Sequence, residues 1–285
     1  MRIGKYNIAA LKTGRFFLDG GAKFGVIPKT IWSRSNPADA RNRIELALRI
    51  LLIRDEKRCI MVDTGIGEGW DTKFSDIYGI DHSAHSLQNS LSQLGPAPQD
   101  VTDVVITHLH FDHVGGAVKT NKAGNFEPAF PNASYYIQKR HYECASNPSE
   151  KDQASFVKNR FAPLLDQRKL ELVEGEVELF PCIFIKLSDG HTIAQQNVLI
   201  ADEKSALYHP GDMIPTSTHV QLPFIMGYDN YPLVTLEEKK SILRRAVERD
   251  WLLFFEHDPN VAASRIMRTE KGFKAGKPVD INEVD

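Results

Sequence analysis

The chain predicts an α/β protein in which two β-sheets are sandwiched between outer helices. Three observations point there. Strand-like apolar runs fall in two successive halves of the 285 residues. One or two helix-period segments interrupt each half. No repeat, low-complexity tract or long linker divides the sequence, so residues 1–285 are read as one domain.

In chain order, IELALRILLIR (44–54) and RCIMVDTG (58–65) read as strands around the polar turn Asp55-Glu56-Lys57. Leu87, Leu91 and Leu94 mark one face of a helix that Gly95-Pro96 stops. DVVITH (103–108) is a short buried strand, ASYYIQ (133–138) another, and residues 139–169 read as helical. Strands follow at LELV, CIFIKL, NVLIAD and ALYHPGD. Thr235 and Glu238 have capping-box spacing ahead of a buried stripe of Ile242, Leu243, Ala246 and Val247. WLLFFEHD is the final strand, and the polar tail from about 270 is expected to pack loosely. The Gly-rich segment 18–32 has no period and reads as a loop, over a site or across a homodimer contact.

A net charge of −2 excludes a nucleic-acid binder that relies on bulk electrostatics. No run approaches the roughly 18 apolar residues of a membrane span. The N-terminal stretch MRIGKYNIAALKTGRFF lacks the continuous apolar core of a secretory signal. Cys59, Cys144 and Cys182 are odd in number and scattered, which fits a reducing compartment. The expectation is a cytoplasmic protein acting on small molecules, with neither nucleic acid nor membrane as partner.

The stretch THLHFDHVGG (107–116) concentrates His108, His110, Asp112 and His113 in six positions. Neutral imidazole and carboxylate are the donors that zinc and similar ions take. At a strand end, residues i and i+2 project to one side, so His108 and His110 can converge on one ion. After the turn, Asp112 and His113 can face a second, and Gly115-Gly116 leaves room for close backbone packing. Three further ligand-type residues follow apolar strands: His191 in SDGHT, Asp212 in YHPGDMIP and His257 in FFEHDP. His82, His85 and His141 are expected to be exposed; His209 is read as buried or as an orienter of the site, and His219 as a pocket residue.

This order of motifs resembles the dinuclear hydrolases of the metallo-β-lactamase superfamily, from DTG at 63–65 through His257. The resemblance implies an αββα sandwich of two mixed sheets. It implies that His108, His110 and His191 bind one metal ion, and Asp112, His113 and His257 a second. Asp212 would bridge them, and Asp63 would orient the site without binding. Two divalent ions are the implied cofactors; zinc is expected, and nitrogen and oxygen donors also suit manganese, cobalt and iron. Two such ions facing two aspartates and a hydroxide leave about one positive charge, suited to a transition state that gains negative charge. Asp112 is the expected catalytic proton carrier.

LDGGAKFGVIPKTIW (18–32), DTGIGEGW (63–70) and MGYDNYP (226–232) resemble the quorum-quenching N-acyl homoserine lactonases, and also organophosphate hydrolases of the methyl parathion hydrolase kind. The implied substrate is a small ester or lactone, with phosphotriesterase or arylesterase activity as the second reading. A third is a metal-dependent binding protein without catalysis. Phe24, Trp32, Trp70, Phe111 and Tyr228 are candidates for an apolar pocket. Two positions depart from the lactonase pattern: Pro215 stands where several members have an oxyanion-supporting Tyr, and GHTIAQQ replaces Gly-His-Thr-Pro-Gly-His.

Overall fold

A computed structural model describes residues 1–284. Its longest ladder involves a segment that periodicity does not mark. Strand Tyr6–Asp19 pairs antiparallel with Arg43–Arg54 from Asn7↔Arg54 to Asp19↔Arg43. A register shift between Lys12 and Gly14 changes the phase of the alternation halfway, so neither half reads as a strand of full length.

Among the described residues, two seven-stranded sheets form. The first runs in the order Arg2–Ile3, Tyr6–Asp19, Arg43–Arg54, Cys59–Val62, Asp103–Val105, Ser134–Gln138, Leu170–Val173. Its first three pairings are antiparallel and its last three parallel. The second runs Val177–Phe180, Ile183–Ser188, Gln195–Ala201, Ala206–His209, Leu252–Phe254, Ala263–Thr269, Gly272–Val279. Only the pairing of Ala206–His209 with Leu252–Phe254 is parallel, and the helix Pro232–Glu248 makes its crossover.

The sheets share one core. Ile53, Ile60 and Val105 of the first meet Ile185, Val198, Leu207 and Phe254 of the second, all buried. Helices Leu87–Gln93, Lys139–Ser146 and Ala162–Asp166 cover the outer face of the first sheet through Leu91, Ala145 and Leu164. Helix Pro232–Glu248 covers the second through Leu243 and Ala246. This is the expected sandwich of two mixed sheets between helices.

Several elements differ from expectation. Residues 139–169 hold two short α-helices and two 3-10 turns, with Pro148 and Pro163 limiting helix length. The final helix starts at Pro232, so Thr235 lies inside it. Glu238 instead accepts the amide N–H groups of Asp189 (2.7 Å) and Gly190 (3.2 Å). Leu252–Phe254 is not the last strand, and the expectation of a loose tail is corrected. Gly272–Val279 edges the second sheet, Ile281 is fully buried, and the Asn282 amide exchanges two hydrogen bonds with the Ala10 backbone. The polarity of that tail belongs to a half-exposed edge strand. No helix among the described residues is long and apolar enough to cross a membrane.

Candidate metal centre

Strand Asp103–Val105 stops three residues short of the predicted end, and just beyond it Thr107 is bound by Asp63. Asp63 sits at φ 61°, a left-handed conformation that Asp tolerates better than most residues. From there its carboxylate accepts the Thr107 amide and hydroxyl, each at 2.6 Å. Thr64 donates its N–H (2.9 Å) and hydroxyl (2.8 Å) to the His113 carbonyl. The loop 107–113 is thus fastened at both ends to the DTG turn. Gly115 and Gly116 are required here, since a Cβ would overlap the Ile66 carbonyl at the first and the Thr64 carbonyl at the second.

Each of the seven predicted ligand residues is buried, and the fold brings them together from four strand ends. His110 Nδ1 lies 3.0 Å from His108 Nε2 and 3.2 Å from His191 Nε2. On the other side, His257 Nε2 lies 3.1 Å from His113 Nε2 and 3.6 Å from Asp112 Oδ2. Asp212 stands between the groups. Its Oδ1 is 3.1 Å from His257 Nε2 and 3.5 Å from His113 Nε2, while its Oδ2 is 3.7 Å from His191 Nε2.

The far nitrogen of most rings fixes the tautomer. His257 Nδ1–H donates to the Ala47 carbonyl (2.9 Å), which accepts only, so Nε2 carries the lone pair. His191 Nδ1 faces Asp229 Oδ1 at 2.8 Å, and His113 Nδ1 faces Asp63 Oδ2 at 3.1 Å. Burial, reinforced by the neighbouring imidazoles, holds His108 and His110 well below the usual histidine pKa, so both are neutral donors. At His113 burial acts the same way but is outweighed by Glu256, Asp112 and Asp212, which raise its pKa well above normal. Burial alone would raise the Asp212 pKa; Lys23, His257 and His113 hold it well below the carboxylate range instead.

These donors fit divalent ions. Nitrogens about 2.05 Å from a tetrahedral ion stand about 3.3 Å apart, close to the spacings of both groups. Inward lone pairs crowded this closely repel unless a cation lies among them, and Asp212 Oδ1 has no hydrogen-bond partner.

The centre opens on a cavity of about 190 Å³ whose lining includes Leu18, Tyr78, Phe111 and Tyr228. Four expected pocket residues, Phe24, Trp32, Trp70 and His219, stand behind that wall, which corrects their assignment. Phe24 stacks between Trp32 (5.3 Å) and His219 (4.9 Å). His219 bonds Thr216 Oγ1 (2.7 Å) and the Lys23 carbonyl (2.9 Å), and burial followed by Lys23 pushes its pKa down to about 3. Trp70 packs on Phe74 and lies under the Arg160 guanidinium at 3.9 Å. Of the aromatic residues that face the cavity, Tyr78 and Phe111 sit on the short helices Thr72–Tyr78 and Phe111–Val114 and Tyr228 on a loop, elements too short for a period to single them out.

Of the other histidines, His141 and His82 differ from expectation, while His85 and His209 lie as expected. His141 is fully buried: its Nε2 accepts the Leu109 N–H (2.8 Å) and its Nδ1–H donates to the Ile193 carbonyl (2.7 Å). Burial brings its pKa to about 4, consistent with that neutral role. His82 is half-buried between the Thr13 and Gly67 carbonyls, and His85 is exposed. His209 is buried, its Nδ1 accepting from Gly211 N (3.1 Å) and its Nε2 3.3 Å from Glu256 Oε2.

Lys23, Asp229 and Glu256 are the residues that sequence reasoning missed. The signal for two was adjacency, since Asp229 lies in MGYDNYP and Glu256 precedes His257. Lys23 gave none beyond its place in segment 18–32.

Comparison with known proteins settles the family. The pattern of the metallo-beta-lactamase superfamily matches residues 49–257. The chain belongs to the metallo-β-lactamase superfamily. It is a metal-dependent hydrolase of that superfamily. Among curated members it is 26% identical over 227 residues to an N-acyl homoserine lactonase of a Bacillus species, covering 75% of this chain and 82% of that one. The corresponding lactonase of Bacillus cereus is 25% identical over 229 residues, with 76% and 83% covered. Among solved structures, a probable metal-dependent hydrolase from Staphylococcus aureus superposes with a TM-score of 0.88 at 28% identity, covering 98% of each chain. The dizinc quorum-quenching lactonase AidC superposes at 0.80 with 22% identity, covering 98% of this chain and 96% of its own.

Proposed function

We propose that this metallo-β-lactamase-fold hydrolase opens lactone rings of the N-acyl homoserine lactone type at a centre of two zinc ions. The observation that carries the reading is the placement of seven buried His and Asp side chains against a cavity of about 190 Å³ with Leu18, Phe111 and Tyr228 in its lining. The lactonase names of its relatives support the same choice.

In this reading His108, His110 and His191 would hold one ion, Asp112, His113 and His257 would hold the other, and Asp212, which stands between the two groups, would serve both. Bound ions supply Lewis acidity and lower the pKa of water toward about 7. Asp112 takes a proton from the attacking water and returns it to the ring oxygen as that oxygen leaves. Asp229 holds His191, and Asp63 holds Thr107 and His113, so neither side of the centre rearranges on binding. Phe111 and Tyr228 contact the acyl chain and keep bulk water away.

Zinc-loaded protein assayed against a chain-length series of N-acyl homoserine lactones, paraoxon and an aryl ester tests the reading. The expected result is a higher kcat/KM for lactones than for either competitor. Absence of turnover on every lactone rejects it, and preference for paraoxon moves the assignment to phosphotriester hydrolysis.

A further inference from the structure

Lys23 has no role in the reading above, yet it lies in the lining of the same cavity. Its side chain is 1% exposed, and its ammonium finds no hydrogen-bond acceptor. The nearest charge is Asp212 Oδ2 at 3.7 Å. Burying an ammonium without acceptors is costly, and a chain keeps one at a site when something arriving there supplies the acceptor.

The backbone around Lys23 is clamped. Its carbonyl is bonded by His219 Nε2 (2.9 Å), and the Ala22 carbonyl by Gly227 N (2.8 Å). A Cβ at Gly20 would overlap the Trp32 ring, and Phe24 is stacked between Trp32 and His219. The side chain is therefore presented from a rigid base. The other lysine in the cavity lining, Lys151, already donates to the Tyr228 carbonyl (3.0 Å), the Asp229 carbonyl (3.3 Å) and Asn230 Oδ1 (3.1 Å).

Direction matters as well. Asp212 Oδ2, the oxygen beside Lys23, also faces His191, whereas Asp112 lies beside His257 and His113. The cavity thus has a cation without a hydrogen-bond acceptor at the His108–His110–His191 end and a carboxylate at the other. Pro215, where lactonases of similar pattern have a Tyr, offers no donor at all.

We propose that Lys23 is a catalytic residue that hydrogen-bonds the carbonyl oxygen of the substrate as that oxygen becomes negative. The proposal rests on the ester-hydrolase reading, though not on the lactone within it. Water adds through its oxygen to the carbonyl carbon while the π pair moves onto the carbonyl oxygen, facing the Lys23 ammonium. The pair returns as the C–O bond to the leaving oxygen breaks. Asp112 carries one water proton to the departing alkoxide, and the new acid gives its proton to solvent. Lys23 then faces a product carboxylate, which is the acceptor it lacks.

The test compares wild type with Lys23→Met, which keeps the stem and removes the charge; Lys23→Gln replaces it if the first does not fold. With both zinc ions retained, kcat on the best lactone and on an aryl ester is expected to fall about 10²- to 10³-fold with KM little changed, as for loss of one oxyanion donor. Hexanoate, a carboxylate probe independent of turnover, should bind the zinc-loaded variant at least about tenfold more weakly by calorimetry. A kcat within threefold of wild type, equal hexanoate affinity, or loss of an ion from the variant overturns the proposal. If lactones are inert but aryl-ester turnover or hexanoate binding depends on Lys23, only the lactone reading fails.

Discussion

The two sheets build their shares of the metal centre in different ways. The first delivers His108, His110, Asp112 and His113 on one continuous loop, locked to the DTG turn by Asp63 and Thr64. The second delivers His191, Asp212 and His257 singly, each from a separate strand end with its own support. His191 leans on Asp229. Asp212 follows a turn whose Pro210 carbonyl is held by Gln195 (3.0 Å), and His257 reaches across to Ala47 of the first sheet. A contiguous motif is positioned once, by the backbone. Dispersed donors must be positioned one at a time, by neighbours that carry no motif of their own.

That contrast can be broken by substitution. The largest effect is expected at Asp212, the one side chain that faces both groups. Asp212→Ala should lose metal and reduce kcat by on the order of 10³-fold or more; an Ala variant that keeps two ions by elemental analysis would contradict its bridging place. Gly115→Ala comes next. The added methyl meets the Ile66 carbonyl, so the whole loop must shift, and urea unfolding should report a loss of about 2–4 kcal/mol together with weaker binding of both ions. Asp229→Ala should act on one donor only. Metal affinity is expected to drop about 10- to 100-fold for a single ion while the other stays bound. Equal loss of both ions in a chelator titration would show that the halves are not independently supported.

The smallest effect concerns Lys239 of the crossover helix, whose buried ammonium donates to the Gln221 (3.0 Å) and Phe224 (2.7 Å) carbonyls of the segment leading to Tyr228. Burial lowers its pKa from 10.5 to about 7. Between those values the unfolded chain binds the extra proton, so this group's contribution to stability rises with pH through that window and is lost as pH falls toward 7. Relative to Lys239→Met, wild type should gain about 1 kcal/mol between pH 7 and pH 8 in urea melts. A pH-independent difference would show that the amine is not the titrating group.

The legible part of the sequence follows the same division. The loop motif and the strand-end positions of His191, Asp212 and His257 could be read because donor type and local pattern coincide. Strand Tyr6–Asp19 was hidden by a bulge that reverses its alternation at Gly14. His141 looked like a surface residue on a polar helix, because nothing local signals the Leu109 amide that buries it. Lys23 and Asp229 gain their significance only from partners far along the chain, at Asp212 and His191. Aromatic content marked the neighbourhood of the pocket, but only contact geometry separates Phe111 and Tyr228, in the lining, from Phe24 and Trp70 behind it.

The His141 ring bears on a different question, the traffic of ions. By joining the Leu109 amide to the Ile193 carbonyl, it ties the loop of the first sheet to the His191 loop of the second through neutral hydrogen bonds alone. The ordering of both loops is therefore met during folding and not at metal uptake.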